Sequence, residues 1–310
     1  MGTPDFAVGT LRALVENHYH VVAVVTMPDK PMGRHGSVLQ SSAVKQYALS
    51  VGLPVLQPER LKDEVFLEAL RACRADLQIV VAFRMLPEVV WAMPPLGTFN
   101  LHASLLPQYR GAAPINWAII NGDRETGVTT FFLQHEIDTG AIIHQERLAI
   151  GEEDNVEVVH DRLMTLGADL VLRTVDDILA GTVTPVPQQV TDDTALRPAP
   201  KIFRDTCHID WHRSARELYN FVRGLSPYPA AWTDFVDPDG TTVNVKVFAA
   251  HVVETTLAPG EIETDGRTLL LVGTADGALS IDSLQVAGKK RMPAADFLRG
   301  HADIALWHVQ

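Results

Sequence analysis

The sequence predicts an α/β protein in which a doubly wound, mostly parallel sheet is followed by a small β-barrel module of the OB type. Three observations predict it. From Phe6 to about Gly181, short apolar runs rich in β-branched residues alternate with segments of helical spacing, the pattern of strands joined by right-handed helical crossovers. Polarity and proline then rise through 182–200, as at an interdomain linker. Beyond that, one helical segment precedes several short strand candidates separated by turn residues, a pattern that suits a five-stranded barrel.

Taken in order, 20–26, 77–83, 97–101 and 127–133 read as buried strands. Helical spacing occupies 6–17, 41–51, 62–73 and 113–121, with Ser42, Asp63 and Pro87 as helix starts. A long amphipathic helix over 155–180 closes this unit. After the linker come a helix over 214–225 and strands within 243–253, 260–263, 268–274 and 277–286. The expected domains are therefore 1–183, a linker over 184–203, and 204–310. Met1 falls directly on GTPDFAV, which reads as a loop and helix start. The first domain is accordingly expected either to lack its opening strand or to start upstream of this methionine.

Composition narrows the class. With 310 residues the chain has room for two cores. No apolar run is long enough to span a bilayer, and MGTPDF is neither a signal peptide nor a myristoylation site, because Phe6 stands where Ser or Thr is needed. Cys73 and Cys207 are the only cysteines, which fits a reducing cytoplasm. A net charge of −12 argues at face value against nucleic acid. Local basic patches at 30–34 and 289–291 keep a docked RNA end open. No coiled-coil pattern asks for a dimer, so a monomer is expected.

The chemistry concentrates in GTFNLHASLLPQYR at 97–110 and HEIDTG at 135–140. Asn100 and His102 are two apart in a strand, so they share a face. Asp138 follows the next strand candidate, which places all three at strand ends near one sheet edge. Alone, each reads as a cap, a core histidine or a turn residue; together they suit acyl transfer without a covalent intermediate. In that reading the imidazole moves a proton from an attacking amine, the carboxylate fixes its tautomer, and an amide N–H stabilises the oxyanion. Ser104 has no nucleophile-elbow context. Cys207, His208 and His212 lack a firm third metal ligand, so no metal is expected. Phe83 and the apolar 87–93 segment suit either a pterin pocket or plain core. The glycine- and proline-punctuated 27–37 stretch lacks the Gly-Lys-Ser/Thr ending of a phosphate loop.

Asn100-Leu-His102, Ser104-Leu-Leu-Pro107, Tyr109-Arg110-Gly111 and Asp138-Thr139-Gly140 resemble the motifs of the folate-dependent, Rossmann-like formyltransferases. Gly2-Thr3-Pro4-Asp5-Phe6, Pro28-Asp29-Lys30-Pro31 with Gly33-Arg34, and Ser283-Leu284-Gln285 with Gly288-Lys289-Lys290 narrow the resemblance to the branch that formylates methionyl-tRNA. It covers essentially the whole chain, and relatives carry an apolar strand ahead of GTPDF. The resemblance implies transfer of a formyl group from 10-formyltetrahydrofolate to the α-amine of methionine on initiator tRNA, for translation initiation. It makes Asn100, His102 and Asp138 catalytic, lines the folate site with Ser104, Leu105, Leu106 and Pro107, and gives tRNA contacts to Arg34, Lys289 and Lys290. The folate carries the one-carbon unit, so no metal is implied. Two alternatives stand beside this reading: a formyltransferase for a small amine, such as glycinamide ribonucleotide or an amino sugar nucleotide, and a non-catalytic RNA-binding protein that keeps the fold.

Overall fold

Short ladders and their crossovers decide where the site can sit. The computed structural model describes residues 1–32, 38–190 and 196–310, and these form two compact units interleaved along the chain. The first comprises 1–111, 126–149 and 160–198; the second comprises 112–125, 150–159 and 199–310.

In the first unit, α1 (Asp5–Glu16) leads to β1 (Val24–Val25), followed by a hairpin of β2 (Lys30–Met32) and β3 (Val38–Gln40). Helix α2 (Ala43–Ser50) opens on Ser42, whose hydroxyl accepts from the Lys45 N–H. It is followed by β4 (Val55–Leu56), which pairs parallel with β1. Helix α3 (Glu64–Ala72) is capped by Asp63. Strand β5 (Gln78–Val81), α4 (Glu88–Trp91) and β6 (Thr98–His102) follow, with β5 and β6 parallel. The second unit contributes α5 (Pro114–Ile120). The sheet then continues through β7 (Glu125–Phe132) and β8 (Ile142–Ala149), in the order β5-β6-β7-β8.

The run at 20–26 yields only the short β1, because strand structure needs a ladder partner as well as an apolar sequence. Met1 and Gly2 lie between β1 and β5: the Gly2 N–H donates to Val25 O at 3.0 Å, and the Val81 N–H donates to Met1 O at 2.9 Å. Beside this rung is an apolar cleft of about 490 Å³ lined by Leu11, Leu14, Val22, Ile79 and neighbours. A separate core gathers Val25, Leu67, Leu70, Val80, Leu86 and Val90, with Phe83 and Trp91 packed against it. Helix α6 (Val156–Ala180) covers β6 so closely that a Cβ on Gly167 would meet the Leu101 side chain at 2.8 Å.

The second unit is a barrel with a helix packed in its core. Helix α7 (Ala215–Leu225) begins in a capping box, Ser214 with Glu217. Strands β9 (Ala231–Val236), β10 (Thr242–Val253), β11 (Ile262–Thr264), β12 (Leu270–Gly273) and β13 (Ala278–Val286) are followed by β14 (Met292–Pro293), α8 (Ala294–Arg299) and β15 (His308–Val309). The order is β11-β12-β13-β10-β9-β15, and every registered pair is antiparallel. A bridge between Glu261 and His308 joins the two ends of that order, which removes the exposed edges an open sheet would leave. Leu218, Phe221, Phe235, Val247, Leu279 and Phe297 fill the interior.

Candidate active site

Strand β6 is the scaffold of the site. It lies between β5 and β7, with Asn100 opposite Val80 and Phe131 and His102 opposite Thr129. Phe99 and Leu101 are buried on the other face, so the two polar side chains share one side, as their spacing requires.

Strand β7 runs antiparallel to β6, with Phe132 opposite Phe99. The outgoing ends of the two strands therefore lie at opposite ends of the pair. This corrects the expectation that His102 and Asp138 meet at a common sheet edge: the loop after β7 folds back toward His102. It turns sharply at Asp138, whose φ is +54°, a left-handed conformation that aspartate tolerates better than most residues. Gly140 lies against the end of β7 so tightly that a Cβ there would be 1.7 Å from Phe132 O.

Within the site, His102 Nε2 lies 2.9 Å from the Tyr109 carbonyl. A carbonyl only accepts, so this nitrogen carries a proton, and in the neutral ring Nδ1 presents its lone pair. Nδ1 faces Asp138 Oδ2 across 4.0 Å, too far for a direct hydrogen bond. The tautomer is thus fixed by a backbone carbonyl and not, as expected, by the carboxylate. Asp138 Oδ2 instead accepts from the Gly111 N–H at 2.9 Å. Tyr109 is itself held by Arg197: its N–H donates to Arg197 O at 2.7 Å, and the guanidinium donates to its hydroxyl at 3.2 Å. The Asn100 amide oxygen is buried with no hydrogen-bond partner. Such an atom costs about 1–3 kcal/mol until something fills it. Turning the amide over exchanges oxygen for an N–H donor without changing its shape.

The Ser104–Leu105–Leu106–Pro107 stretch divides by role. Ser104 is fully buried, and its hydroxyl donates to Gln108 O at 2.6 Å. Leu106 is buried as well; its N–H donates to Thr129 Oγ1 at 3.2 Å and its carbonyl accepts from Gln145 at 2.8 Å. Leu105 and Pro107 keep exposed surface. Ser104 and Leu106 therefore fix the loop, while Leu105, whose side chain packs against Gly127 of β7, and Pro107 are half-buried.

Of the residues assigned to tRNA, Arg34 lies outside the described residues. The β2–β3 hairpin that carries its flanks follows Asp29, whose carboxyl is held below its ordinary value by hydrogen bonds from Lys45 and Gln57. Lys289 and Lys290 are exposed in the turn after β13, in the second unit. Nearby, the Arg291 guanidinium lies 4.6 Å from the Phe248 ring centre. Cys207, His208 and His212 do not converge: the Cys207 thiol donates to Phe203 O, His208 packs on Trp232, and His212 faces Asp210. Sequence reasoning missed Gln188, Arg197, Thr129 and Gln145, all of which hold the site loops.

A histidine and a carboxylate facing one gap, with a spare amide on the same strand face, suit transfer of an acyl group to an amine. Known proteins give that class its family. Residues 1–175 match the Formyl transferase family, and residues 201–302 match Formyl transferase, C-terminal domain. The chain belongs to the formyl transferase family. It is 66% identical to the Methionyl-tRNA formyltransferase of Parabacteroides distasonis, covering 100% of this chain and 97% of that one. Against the enzyme of the same name from Bacteroides fragilis the identity is 62%, over 97% and 93%. Among solved structures, the sugar 3N-formyl transferase WlaRD, determined with dTDP and 5-N-formyl-THF, superposes with a TM-score of 0.63 at 18% identity, over 93% and 97% of the two chains. HypX from Aquifex aeolicus in complex with tetrahydrofolic acid gives 0.59 at 22%, over 82% of this chain and 44% of that one. These two likenesses establish the shared fold.

Proposed function

We propose that this chain transfers the formyl group of 10-formyltetrahydrofolate to the α-amine of methionine on initiator methionyl-tRNA, in the cytoplasm, at translation initiation. The observation that carries the reading is the 66% identity, over the full chain, with an enzyme of that name. The geometry supplies the mechanism.

His102 Nδ1 and Asp138 Oδ2 are two acceptors 4.0 Å apart. A nitrogen ~2.8 Å from both would subtend roughly 90° between them, close to the angle between the two N–H bonds of an amine. The pair therefore orients a neutral amine by its hydrogens and leaves the lone pair free to attack. As the new C–N bond forms, the amine loses a proton to His102 or Asp138. The same pair returns it to the folate nitrogen as the bond from that nitrogen to the formyl carbon breaks. Asn100, turned to present its N–H, stabilises the oxyanion; loss of one such donor typically costs ~10²–10³ in rate. The partnerless Asn100 amide oxygen and the half-buried Leu105 and Pro107 fit a formyl oxygen and a flat apolar donor, while Ser104 and Leu106 hold their loop. Arg34, Lys289 and Lys290 contact tRNA phosphates.

The test is formylation with 10-formyltetrahydrofolate offered charged initiator tRNA, charged elongator tRNA, or small amines. Formylation of the initiator tRNA in preference to the others is expected. His102→Ala should abolish it while leaving tRNA affinity nearly intact. Preference for a small amine, or wild-type turnover by His102→Ala, would overturn the reading.

A further inference from the structure

The segment read from sequence as the start of a linker belongs to the same compact unit as the site. It is tied to β8 by a reciprocal pair of backbone hydrogen bonds between Val186 and Ile142, at 2.8 and 2.9 Å. Two residues on, Gln188 uses its whole amide. Its Nε2 donates to Asp138 O at 2.8 Å and to Gly140 O at 2.9 Å. Its Oε1 accepts from Arg110 Nε at 3.2 Å and Arg110 Nη2 at 2.6 Å. That exhausts both donors and both lone pairs of the side chain.

The partners are what give these bonds meaning. Arg110 precedes Gly111, whose N–H holds the Asp138 carboxylate, and it follows Tyr109, whose carbonyl holds His102. Asp138 and Gly140 belong to the loop that folds back from β7. Gln188 thus braces the loop after β6 against the loop after β7, with the His102–Asp138 gap between the braced residues. A glutamine merely satisfying surface groups has no reason to engage both loops from both ends of its amide. We propose that Gln188 is a positioning residue that sets the separation of His102 and Asp138. The inference rests on the reading of those two as the proton-handling pair. Few other side chains could replace it. Glutamate keeps the bonds to Arg110 but turns an anionic oxygen toward two carbonyls, and methionine keeps the length but makes none of the bonds.

The test uses the full chain with Gln188→Glu and Gln188→Met, measuring kcat and KM separately for the folate and for charged initiator tRNA. Small displacements of reacting groups cost up to ~10² in rate. Each variant should therefore lose roughly 10- to 100-fold in kcat, with both KM values within about threefold of wild type. A residue that merely held the fold or bound substrate would not produce that split. Arg110→Lys, which keeps one of the two bonds, should move kcat in the same direction by a smaller factor, and it decides the matter if either glutamine variant fails to fold. A kcat within twofold of wild type, or a loss carried by KM alone, would overturn the positioning role. His102→Ala, run in parallel, separates the two failures. An inactive His102→Ala beside a fully active Gln188→Met removes only the positioning role. A fully active His102→Ala removes the pair itself, and with it any gap for Gln188 to set.

Discussion

Gly140→Ala probes the site without touching a reacting group. A Cβ at this position would sit 1.7 Å from Phe132 O, whereas ordinary contact begins at 3.4 Å, so the loop and the strand end must part by about 1.7 Å. The clash is with backbone, so no side-chain rotation relieves it. Asp138 is two residues away, and Gln188 ties both residues by their carbonyls, so the carboxylate moves with the loop. A shift of ~1 Å at a reacting group can cost ~10² in rate, and kcat for formylation should fall by about that factor. The assay is steady-state formylation of charged initiator tRNA, with thermal unfolding recorded on the same preparation. Gly181→Ala is the control: its φ of +68° also strains alanine, but nothing lies within 4 Å of the new Cβ and it stands at the end of α6. It should lose a little stability and no kcat. A folded Gly140→Ala enzyme with kcat within threefold of wild type would refute the argument that loop position sets the rate.

Two further outcomes follow from the hydrogen bonds. Thr129 Oγ1 donates to Ser104 O and accepts from Leu106 N and Gln145 Nε2, all in a fully buried position. Thr129→Val should cost about 1–3 kcal/mol of stability in chemical denaturation and raise KM for the folate more than that for tRNA. In the barrel unit, hydrogen bonds from Ser214 and Arg213 lower the Glu217 carboxyl to about 2. A depressed carboxyl pKa contributes stability above the unfolded value of ~4.3, and that stability is lost as pH falls toward about 2. Glu217 is largely exposed, so solvent screens most of this contribution. Ser214→Ala should remove about 0.5–2 kcal/mol near neutral pH and flatten the acid limb of the stability profile between those two values.

Much of the site was legible because strand alternation is a two-residue rule: Asn100 and His102 share a face once the strand read at 97–101 runs on through His102, as it does. Asp138 was visible as a carboxylate in the turn-rich HEIDTG stretch after a strand. Helix starts at Ser42 and Asp63 were readable because a cap needs only the local sequence. What the sequence hid has no local signal. The Tyr109 carbonyl that fixes the His102 tautomer is backbone, so the side chain there says nothing about it. Gln188 sits in a proline-rich stretch with no periodicity, and its partners lie 48 to 78 residues away. Strand β8 shows little burial along much of its length, which blurs the apolar run that marks a buried strand. Strand β9 (Ala231–Val236) fell between the helix read over 214–225 and the first barrel strand read at 243, a stretch given no element. The interleaving of the units is equally nonlocal: Ile120 joins the barrel core although strands of the sheet flank it in sequence.

The direction of β7 explains why so much bracing gathers around one carboxylate. In a wholly parallel sheet, loops leaving neighbouring strands emerge on the same edge, and two catalytic groups can meet with little help. Here His102 ends β6 at one edge, while the loop bearing Asp138 leaves β7 beside Phe99. At ~3.3 Å per residue, the loop and the two side chains must together recover roughly 10 Å along the strands. A return of that kind has no ladder of its own to define it. It has the tight seat of Gly140 against β7, the Gly111 N–H on the carboxylate, and the Gln188 amide on the carbonyls of Asp138 and Gly140. Each of these fixes the loop to the scaffold or to the loop that carries Tyr109, and none fixes it to His102 directly. The 4.0 Å gap is therefore set by the framework around the pair and not by the pair's own attraction. In the proposed mechanism, that leaves both acceptors open to the hydrogens of an incoming amine. A direct bond between them would have closed the position the amine needs.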